Sequence, residues 1–360
     1  MTRSTDQISQ GLSELSNHHE GHILLAHGGG GVLTEELVRE TMLPRIGNDI
    51  LNQLMDSGVM PLDDRYRLAL TIDSYVVQGY VVEPWRFPGG DIGKLAVCGT
   101  VNDLAVTGAQ PMGIALGLII AEGLSYHALE TVLASAGQSA SDAGVKIVTG
   151  DTKVVGHDQA DKIYITTAGV GRIPVDMNLN IDLVRPGDKI LINGPIAQHG
   201  LAVMLARSMP EVQTGVRSDV APLNELIRAL LEQFASDVVF MRDATRGGLA
   251  GVAADIALHS GKHVALDEVA IPIHPETLHV GELLGLDPLE VANEGKVVTV
   301  VRPDIANEAL ALMRSHPLGE EAAIIGEVES IEDGICELRT KLGGRRVVQK
   351  PYGEQLPRIC

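Results

Sequence analysis

The chain has 360 residues, enough for two domains of ordinary size, and 45% of them are hydrophobic although only 3% are aromatic. A formal charge of −19 argues against DNA, RNA or an anionic membrane surface as a partner, because like charges repel. No apolar run reaches the roughly 18 residues of a membrane span. Three cysteines are too few for a disulfide framework, which predicts a reduced, cytoplasmic location.

The first half of the chain mixes predicted strands and helices. Residues 1–20 are polar and lack apolar periodicity, so we expect a mobile extension there. The following elements suggest a first domain over residues 21–175. Helix-like spacing is found in TEELVRETMLPRIG, GKLAVCGTVNDLAVTG and Ser125–Ala143. Strand-like runs are RLALTIDSYVV, QGYVVEPW, GIALGLII, VKIVTG and DKIYITTAGVGRI.

A turn signal, RPGD, separates this unit from a second one that we assign to residues 183–332. Its predicted strands are KILING, HVALDEVAIPI, NEGKVVTVV and AAIIGEVES. Its predicted helices are HGLAVMLARS, a segment starting near Asn224, LAGVAADIALHSG and IANEALALMRS. The mixture predicts two α/β or α+β domains. Residues 333–360 are interpreted as a hydrophilic tail.

Acidic residues at or near strand ends, beside glycine-rich loops, are the strongest chemical signal. They are Asp73, Asp91, Asp103 with its neighbour Asn102, Asp151 and Asp243. A carboxylate at the end of a buried strand is costly unless it binds a cation, and Mg²⁺ prefers oxygen ligands and substrate phosphates. Any one of these residues could instead cap a turn or a helix, but that explanation is weaker for the whole set.

Three glycine clusters, at residues 28–31, 88–91 and 246–248, could bring backbone N–H groups close to phosphate oxygens. None has the P-loop pattern or a G-x-G-x-x-G after a strand, so a nucleotide site here would be of neither type. Lys94 and Lys153 could neutralise phosphate or could be ordinary surface lysines. Glu294, in ANEGK, is a candidate loop carboxylate.

The cysteines and the N-terminal histidines are weighed in the same way. The histidines His18, His19, His22 and His27 are interpreted as a polar mobile segment, with metal binding as the alternative. Cys98 and Cys336 lie in apolar patterns typical of small core residues. Cys360 is the last residue, and prenylation would need a cysteine fourth from the end. From the residues alone, a carrier arm and an incidental cysteine remain evenly matched.

Five segments together resemble the HypE family of [NiFe] hydrogenase maturation factors. They are FPGGDIGKLAVCGTVNDLAVTGAQP, TGDTKVV, RDATRGGLA, NEGK and the terminal PRIC. The resemblance runs from LAHGGGG to the last residue. It implies the two-domain fold of the aminoimidazole ribonucleotide synthetase and selenophosphate synthetase superfamily, α/β plus α+β. It also implies a β-barrel formed by N-terminal domains across a homodimer, an ATP groove between the domains, and a mobile C-terminal tail.

The resemblance also implies a reaction. Cys360 would receive a carbamoyl group from the carbamoyltransferase HypF, and ATP would drive its dehydration to a thiocyanate. The cyano group would pass to iron held by the HypC–HypD complex. Lys153 and Glu294 are the implied candidates for the base, and neither is preferred. ATP and Mg²⁺ are the implied cofactors.

The implied site residues follow the matching motifs. Nucleotide-binding residues would be Gly29, Gly30, Gly31, Asp91, Lys94, Asn102, Asp151, Thr152, Arg246 and Gly247. Metal ligands would be Asp73, Asp103 and Asp243, with Asp64 and Asp91 as additional candidates.

Two other functions compete with this one. Another ATP-dependent synthetase or kinase of the superfamily is the nearest alternative, although a selenophosphate synthetase would carry a reactive cysteine near the N-terminus and Cys98 is the first in this chain. The other alternative is a non-catalytic metal or sulfur carrier that uses the N-terminal histidines and Cys360. Such a carrier would bind nickel or iron without hydrolysing ATP.

Overall fold

The computed structural model describes residues 22–77 and 83–353. The helices are α1 (Val32–Glu36), α2 (Leu43–Ile46), α3 (Ile92–Val106), α4 (Tyr126–Asp142), α5 (Gln198–Ser208), α6 (Asn224–Phe234), α7 (Gly248–Ser260), α8 (Pro275–Leu284) and α9 (Ala306–Ser315). The strands are β1 (Gly58–Pro61), β2 (Tyr66–Tyr75), β3 (Arg86–Phe87), β4 (Gly90–Asp91), β5 (Gln110–Ala121), β6 (Ile147–Val155), β7 (Ile163–Pro174), β8 (Lys189–Ile192), β9 (Val238–Asp243), β10 (His263–Asp267), β11 (Val297–Val301), β12 (Ala323–Glu329), β13 (Cys336–Arg339) and β14 (Arg345–Val348). A π-helical segment, Leu37–Met42, joins α1 to α2.

The N-terminal domain is built on a five-stranded sheet with the strand order β1-β2-β7-β5-β6. All neighbours are antiparallel except β5 and β6, which are parallel and are connected by α4. The helix α3 packs on this sheet because its apolar side chains cover almost its whole circumference. Val97 and Val101 of α3 share a buried cluster with Ile114 of β5 and Ala136 of α4.

The C-terminal domain has a seven-stranded mixed sheet with the order β14-β13-β10-β12-β8-β11-β9. The tail predicted from residue 333 is wrong over residues 336–348, because β13 and β14 belong to this sheet. β13 pairs parallel with β10 and antiparallel with β14. Cys336, Leu338 and Val348 are buried in the main core of the domain. The sequence analysis missed these strands because the alternation of apolar and polar residues in them is short. In addition, β10, the partner strand of β13, lies about 70 residues away in sequence.

The two domains pack against each other along the C-terminal end of α3. Ala105 and Val106 of that helix join a buried cluster with Leu223, Leu226 and Met241 of the C-terminal domain. This packing brings the end of β2 and the middle of α3 close to the loop that follows β9. None of the helices in the described ranges is long and apolar enough to cross a bilayer.

The structure also differs from the sequence prediction around VKIVTG. We expected the strand to end there, with residues 151–153 in a loop, but β6 continues through Asp151, Thr152 and Lys153 to Val155. The extension is possible because β5 offers a continuous parallel partner, with Gly117 opposite Asp151 and Ile119 opposite Lys153. β6 is the edge of the sheet, and eight of its nine residues are exposed.

Candidate active site

A cavity of about 240 Å³ between the two domains is lined by acidic side chains. We call it the acidic pocket. Its lining carboxylates are Asp56, Asp73, Asp103, Asp243 and Glu294. Asp73 lies near the end of β2, Asp103 on α3 and Asp243 at the end of β9. Arg246 is the single cation among the described residues that line the cavity, so the pocket carries an excess of negative charge.

Three carboxylates in the pocket, Asp73, Asp103 and Asp243, are protonated more readily than ordinary ones. Burial raises the pKa of Asp243 to about 8, and the charges of Asp56 and Asp73 add to this effect. Burial, followed by repulsion from Asp243 and Asp73, holds the pKa of Asp103 well above its ordinary value. Burial also raises the pKa of Asp73, and attraction to Arg246 opposes the shift. Charges crowded in this way would be stabilised by a bound cation.

The donor set of the pocket fits a hard divalent cation, because such ions take carboxylate oxygens as ligands. Two of the carboxylates are already oriented: the Thr71 hydroxyl donates to Asp103 Oδ2 at 2.7 Å, and the Tyr75 hydroxyl donates to Asp73 Oδ2 at 3.1 Å. Within residues 22–77 and 83–353, however, no three carboxylate, imidazole or thiolate groups converge tightly enough to hold one ion. In this arrangement a bound Mg²⁺ would take one or two carboxylates as ligands and the rest from phosphate oxygens and water.

Asp64 does not belong to this cluster. It is exposed in the turn between β1 and β2, at the opposite end of β2 from Asp73. Asp56 takes part instead, and the sequence analysis missed it because it precedes β1 without any strand-end or glycine-loop pattern. Its carboxylate is held by Arg242 Nε at 3.2 and 3.3 Å. Only the folded chain brings these two residues, which are 186 positions apart, into contact.

Glu294 is 2% exposed, and its loop is held on two sides. Asp219 accepts hydrogen bonds from the backbone N–H groups of Glu294 and Gly295 at 3.3 and 3.2 Å, and it pairs with Lys296 Nζ at 3.0 Å. The attraction of Lys296 keeps the pKa of Asp219 below its ordinary value even though burial opposes this. The side chain of Asn102 donates to the Glu294 carbonyl at 3.3 Å. The structure therefore fixes the backbone that carries Glu294.

Asn102 and Asp91, which we had assigned to nucleotide binding, have structural partners. Asn102 also donates to the Ala221 carbonyl and accepts from the Leu223 backbone N–H, so its side chain ties the two domains together. Asp91 is the N-cap of α3, accepting from the backbone N–H groups of Gly93 at 2.8 Å and Lys94 at 3.1 Å. This is the helix-capping alternative considered from the sequence. The Lys94 ammonium lies 3.4 Å from the Gly89 carbonyl, and neither Asp91 nor Lys94 lines the acidic pocket.

The first glycine cluster lies beside the acidic pocket and packs against protein. Gly29 ends a 3₁₀ turn, and Gly30 has a φ of +75°. A side chain at Gly30 would meet Arg246 Cβ at 2.4 Å, and one at Gly31 would meet the Pro351 carbonyl oxygen at 2.1 Å. The loop that contains Gly247 also lies against Pro351.

The trio Asp151, Thr152 and Lys153 lies outside the acidic pocket of its own chain. Three strand spacings separate β6 from β2 in the sheet, a distance of about 14 Å. Lys153 Nζ is 3.7 Å from Asp151, and the two side chains are 71% and 76% exposed. A pair this exposed contributes little to stability.

Two of the three cysteines are sealed in the interior. Burial raises the pKa of both Cys98 and Cys336 to about 12, so neither thiol forms the nucleophilic thiolate near neutral pH. Both are free and buried. Cys360, the predicted reactive residue, lies outside the described residues, as do His18 and His19.

The sequence matches a known class of two-domain proteins. The model of the AIR synthase related protein N-terminal domain matches residues 54–173, and that of the AIR synthase related protein C-terminal domain matches residues 185–337. The chain is thus an AIR synthase related protein.

Relatives that are 40–43% identical to this chain define the family within this class. Carbamoyl dehydratase HypE of Cupriavidus necator is 43% identical over 355 residues, 98% of this chain and 99% of that protein. A crystal structure of a HypE–HypF complex matches with a TM-score of 0.80 and 40% identity, covering 88% of this chain and 99% of the other. A crystal structure of the hydrogenase maturation protein HypE in complex with ATP has a TM-score of 0.77 and 41% identity, covering 94% and 100%. The chain belongs to the HypE family of carbamoyl dehydratases.

Proposed function

We propose that this chain dehydrates a carbamoyl group carried on its own C-terminal sulfur, that of Cys360, at the expense of ATP. The observation that carries this proposal is the burial of the other two thiols, Cys98 and Cys336. They are closed off from any donor, whereas Cys360 ends the chain. The carbamoyl dehydratase name of the relatives agrees with this substrate class.

The proposed chemistry starts from a thiocarbamate, S–C(=O)–NH₂, on Cys360. Its oxygen attacks the γ-phosphorus of ATP, ADP leaves, and one N–H proton is lost, which gives S–C(OPO₃²⁻)=NH. The C–O bond then breaks, phosphate leaves with the electron pair, and loss of the second N–H proton gives S–C≡N. Phosphorylation is needed because an amide oxygen is otherwise a very poor leaving group.

The two proton losses require a base within hydrogen-bond reach of the thiocarbamate nitrogen. Glu294 is one candidate, because its carboxylate lines the acidic pocket and its backbone is held by Asp219. Lys153 is the other candidate, or it stabilises phosphate charge. Since β6 is about 14 Å from β2, Lys153 requires a second surface to complete the site around it.

The charge that develops on the phosphate oxygens during phosphoryl transfer would be neutralised by Mg²⁺ held in the acidic pocket. Asp73, Asp103 and Asp243 would hold it, since their raised pKa values report a shortage of positive charge, and Asp56 lines the same pocket. Arg246 adds a fixed positive charge at the edge of the same pocket. The relative crystallised with ATP supports the nucleotide as the second substrate.

We infer that a second copy of the chain covers the outer face of the N-terminal sheet and forms the barrel expected across a homodimer. Leu70 and Ile72 on β2 and Ile119 on β5 are 42%, 68% and 40% exposed and lie on one face of the sheet. The edge strand β6 exposes Val148 and Val154 as well. Exposed apolar surface next to an unpaired edge is typical of an interface.

The proposed partners follow from the substrate chain. A HypF-type carbamoyltransferase would load Cys360, as the relative's complex suggests, and a HypC–HypD complex would accept the cyano group. A free terminal thiol must remain reduced to be loaded, which favours the cytoplasm.

The decisive experiment is the mass of the C-terminal peptide after incubation with HypF, carbamoyl phosphate and ATP. If this chain hydrolyses ATP, we expect Cys360 to carry the thiocyanate. If it does not, we expect Cys360 to remain in the carbamoyl form. Cys360→Ala should fold and bind ATP yet form neither adduct. An adduct on Cys98 or Cys336 in that variant would contradict the proposal.

A further inference from the structure

The segment just before the end of the described chain is docked on the N-terminal helix. The Val32 backbone N–H donates to the Pro351 carbonyl at 2.9 Å, and the Leu33 N–H donates to the Tyr352 carbonyl at 3.2 Å. These N–H groups belong to the first turn of α1, where helical donors have no partner within the helix. Residues 351–352 therefore provide the partners that the start of this helix needs.

Lys350 adds a charged contact to the same docking. Its ammonium is 3.4 Å from Glu35 Oε2 and 3.1 and 3.2 Å from the Asp255 carboxylate oxygens, and its side chain is 23% exposed. Asp255 in turn binds Arg242, which holds Asp56 of the acidic pocket. The docked segment and the acidic pocket thus share one continuous ion network.

Close packing shows that this contact is specific. Pro351 is buried, and a Cβ on Gly31 would lie 2.1 Å from its carbonyl oxygen. A Cβ on Gly247 would lie 3.6 Å from the Pro351 ring, and Gly247 is adjacent to Arg246 of the acidic pocket. The glycines that we had expected to contact phosphate leave room for the chain itself.

We propose that these contacts form a clamp, made by Lys350, Pro351 and Tyr352 with α1, Gly247 and Asp255, that fixes the root of the arm carrying Cys360. This inference rests on the proposed function of Cys360 and specifies how the thiol is delivered. The eight residues after Tyr352 span at most about 26 Å when extended, against about 40 Å for the twelve residues that follow the end of β14 at Val348. Because the clamp lies beside Arg246, the sulfur stays within reach of the acidic pocket. The same position of the clamp requires the carbamoyl donor to dock close to α1.

The clamp can be tested by lengthening the chain on either side of it. We would insert eight Gly/Ser residues between Gly353 and Glu354, after the clamp, and the same eight between Leu342 and Gly343, before it. The second position is a hairpin turn in which Leu342 is 91% exposed, and such turns tolerate insertions. The measurement is the single-turnover rate of thiocyanate formation from carbamoylated protein at saturating ATP.

The two insertions have different expected results. Doubling the free arm should lower the rate about threefold, because effective concentration falls roughly as the −3/2 power of linker length. The insertion before the clamp should leave the rate unchanged. Without the clamp, the free arm would begin after Val348, where β14 ends, and the insertion after Gly353 would lengthen it from twelve to twenty residues. The rate would then fall only about twofold, and that result would refute the clamp.

A second measurement does not depend on the reaction. Hydrogen exchange of the Val32 and Leu33 amides should be slow in the unmodified protein and at least about tenfold faster in Lys350→Met, because the clamp protects them. Lys350→Arg should restore protection, and Lys341→Met in the exposed turn serves as the matched control. Unprotected amides in the unmodified protein would refute the clamp. Protected amides without any thiocyanate would refute the proposed function and leave the clamp standing.

Discussion

Two regions that the sequence predicted for one site differ in how the folded chain treats them. Asp73, Asp103 and Asp243 come from separate parts of the sequence and meet in one acidic pocket. Lys153 and its neighbours stay on an exposed edge strand, about 14 Å from β2 across the sheet. The difference indicates that one chain assembles the acidic pocket by itself. Lys153, in contrast, would complete a site only with a surface from a second copy of the chain.

Removing an acidic ligand should have the largest effect. Asp243→Asn should lower Mg²⁺-dependent ATP hydrolysis by about two orders of magnitude or more, because charge stabilisation by a bound metal is worth several kcal/mol. Its melting temperature at neutral pH should not fall, since burial already keeps Asp243 mostly protonated and uncharged there, as Asn is. Asp64→Asn, in the exposed turn before β2, is the matched control and should be normal. Normal hydrolysis by Asp243→Asn would exclude that residue as a ligand.

The lysine region can be tested by mixing variants. Lys153→Ala should accept the carbamoyl group yet fail to form thiocyanate, because transfer to the thiol does not use this residue. If Lys153 serves the pocket of a second copy, mixing Lys153→Ala with Asp243→Asn should restore about a quarter of the activity, since a two-fold dimer then contains one intact site. No recovery after subunit exchange would show that both residues act within one chain.

The interface itself should respond to charge on its apolar face. Ile72 is 68% exposed on β2, and Ile72→Lys should shift the protein from dimer to monomer in sedimentation at micromolar concentration, with the circular dichroism spectrum unchanged. Val269→Lys, at a residue 75% exposed in the C-terminal domain, should leave the dimer intact. An unmodified protein that sediments as a monomer would contradict the proposed barrel.

The smallest effect concerns pH in the absence of divalent cations. Burial raises the pKa of Asp243 from 3.8 to about 8, so the native state binds a proton there that the unfolded state releases. Stability from this group is therefore complete below about pH 4 and is lost as pH rises through about 8. The melting temperature should fall over that range less steeply in Asp243→Asn than in the unmodified protein, and identical slopes would argue against the raised pKa.

The sequence analysis recognised Asp73 because it follows an apolar strand, and Asp243 because it precedes the glycine-rich TRGG at the start of a predicted helix; the strand β9 that ends at Asp243 was not predicted. Asp56 has no such pattern, and only its contact with Arg242 brings it to the pocket. Asp91 is the opposite case: its motif suggested nucleotide binding, but its side chain caps the N-terminus of α3. Asp-Thr-Lys after VKIVTG was expected to lie in a loop, yet the hydrogen bonds offered by β5 extended β6 through it.

The sequence by itself determined every helix except α8, most of the longer strands, the family and the candidate reactive cysteine, because apolar periodicity, capping residues and motifs act over short stretches. The tertiary structure decided which carboxylates share a pocket, that residues 336–348 join a sheet, and that Pro351 docks against Gly31, and it confirmed that Cys98 and Cys336 are buried. These features depend on contacts between residues tens to hundreds of positions apart. Such contacts are set by how whole elements pack, and no local pattern records them.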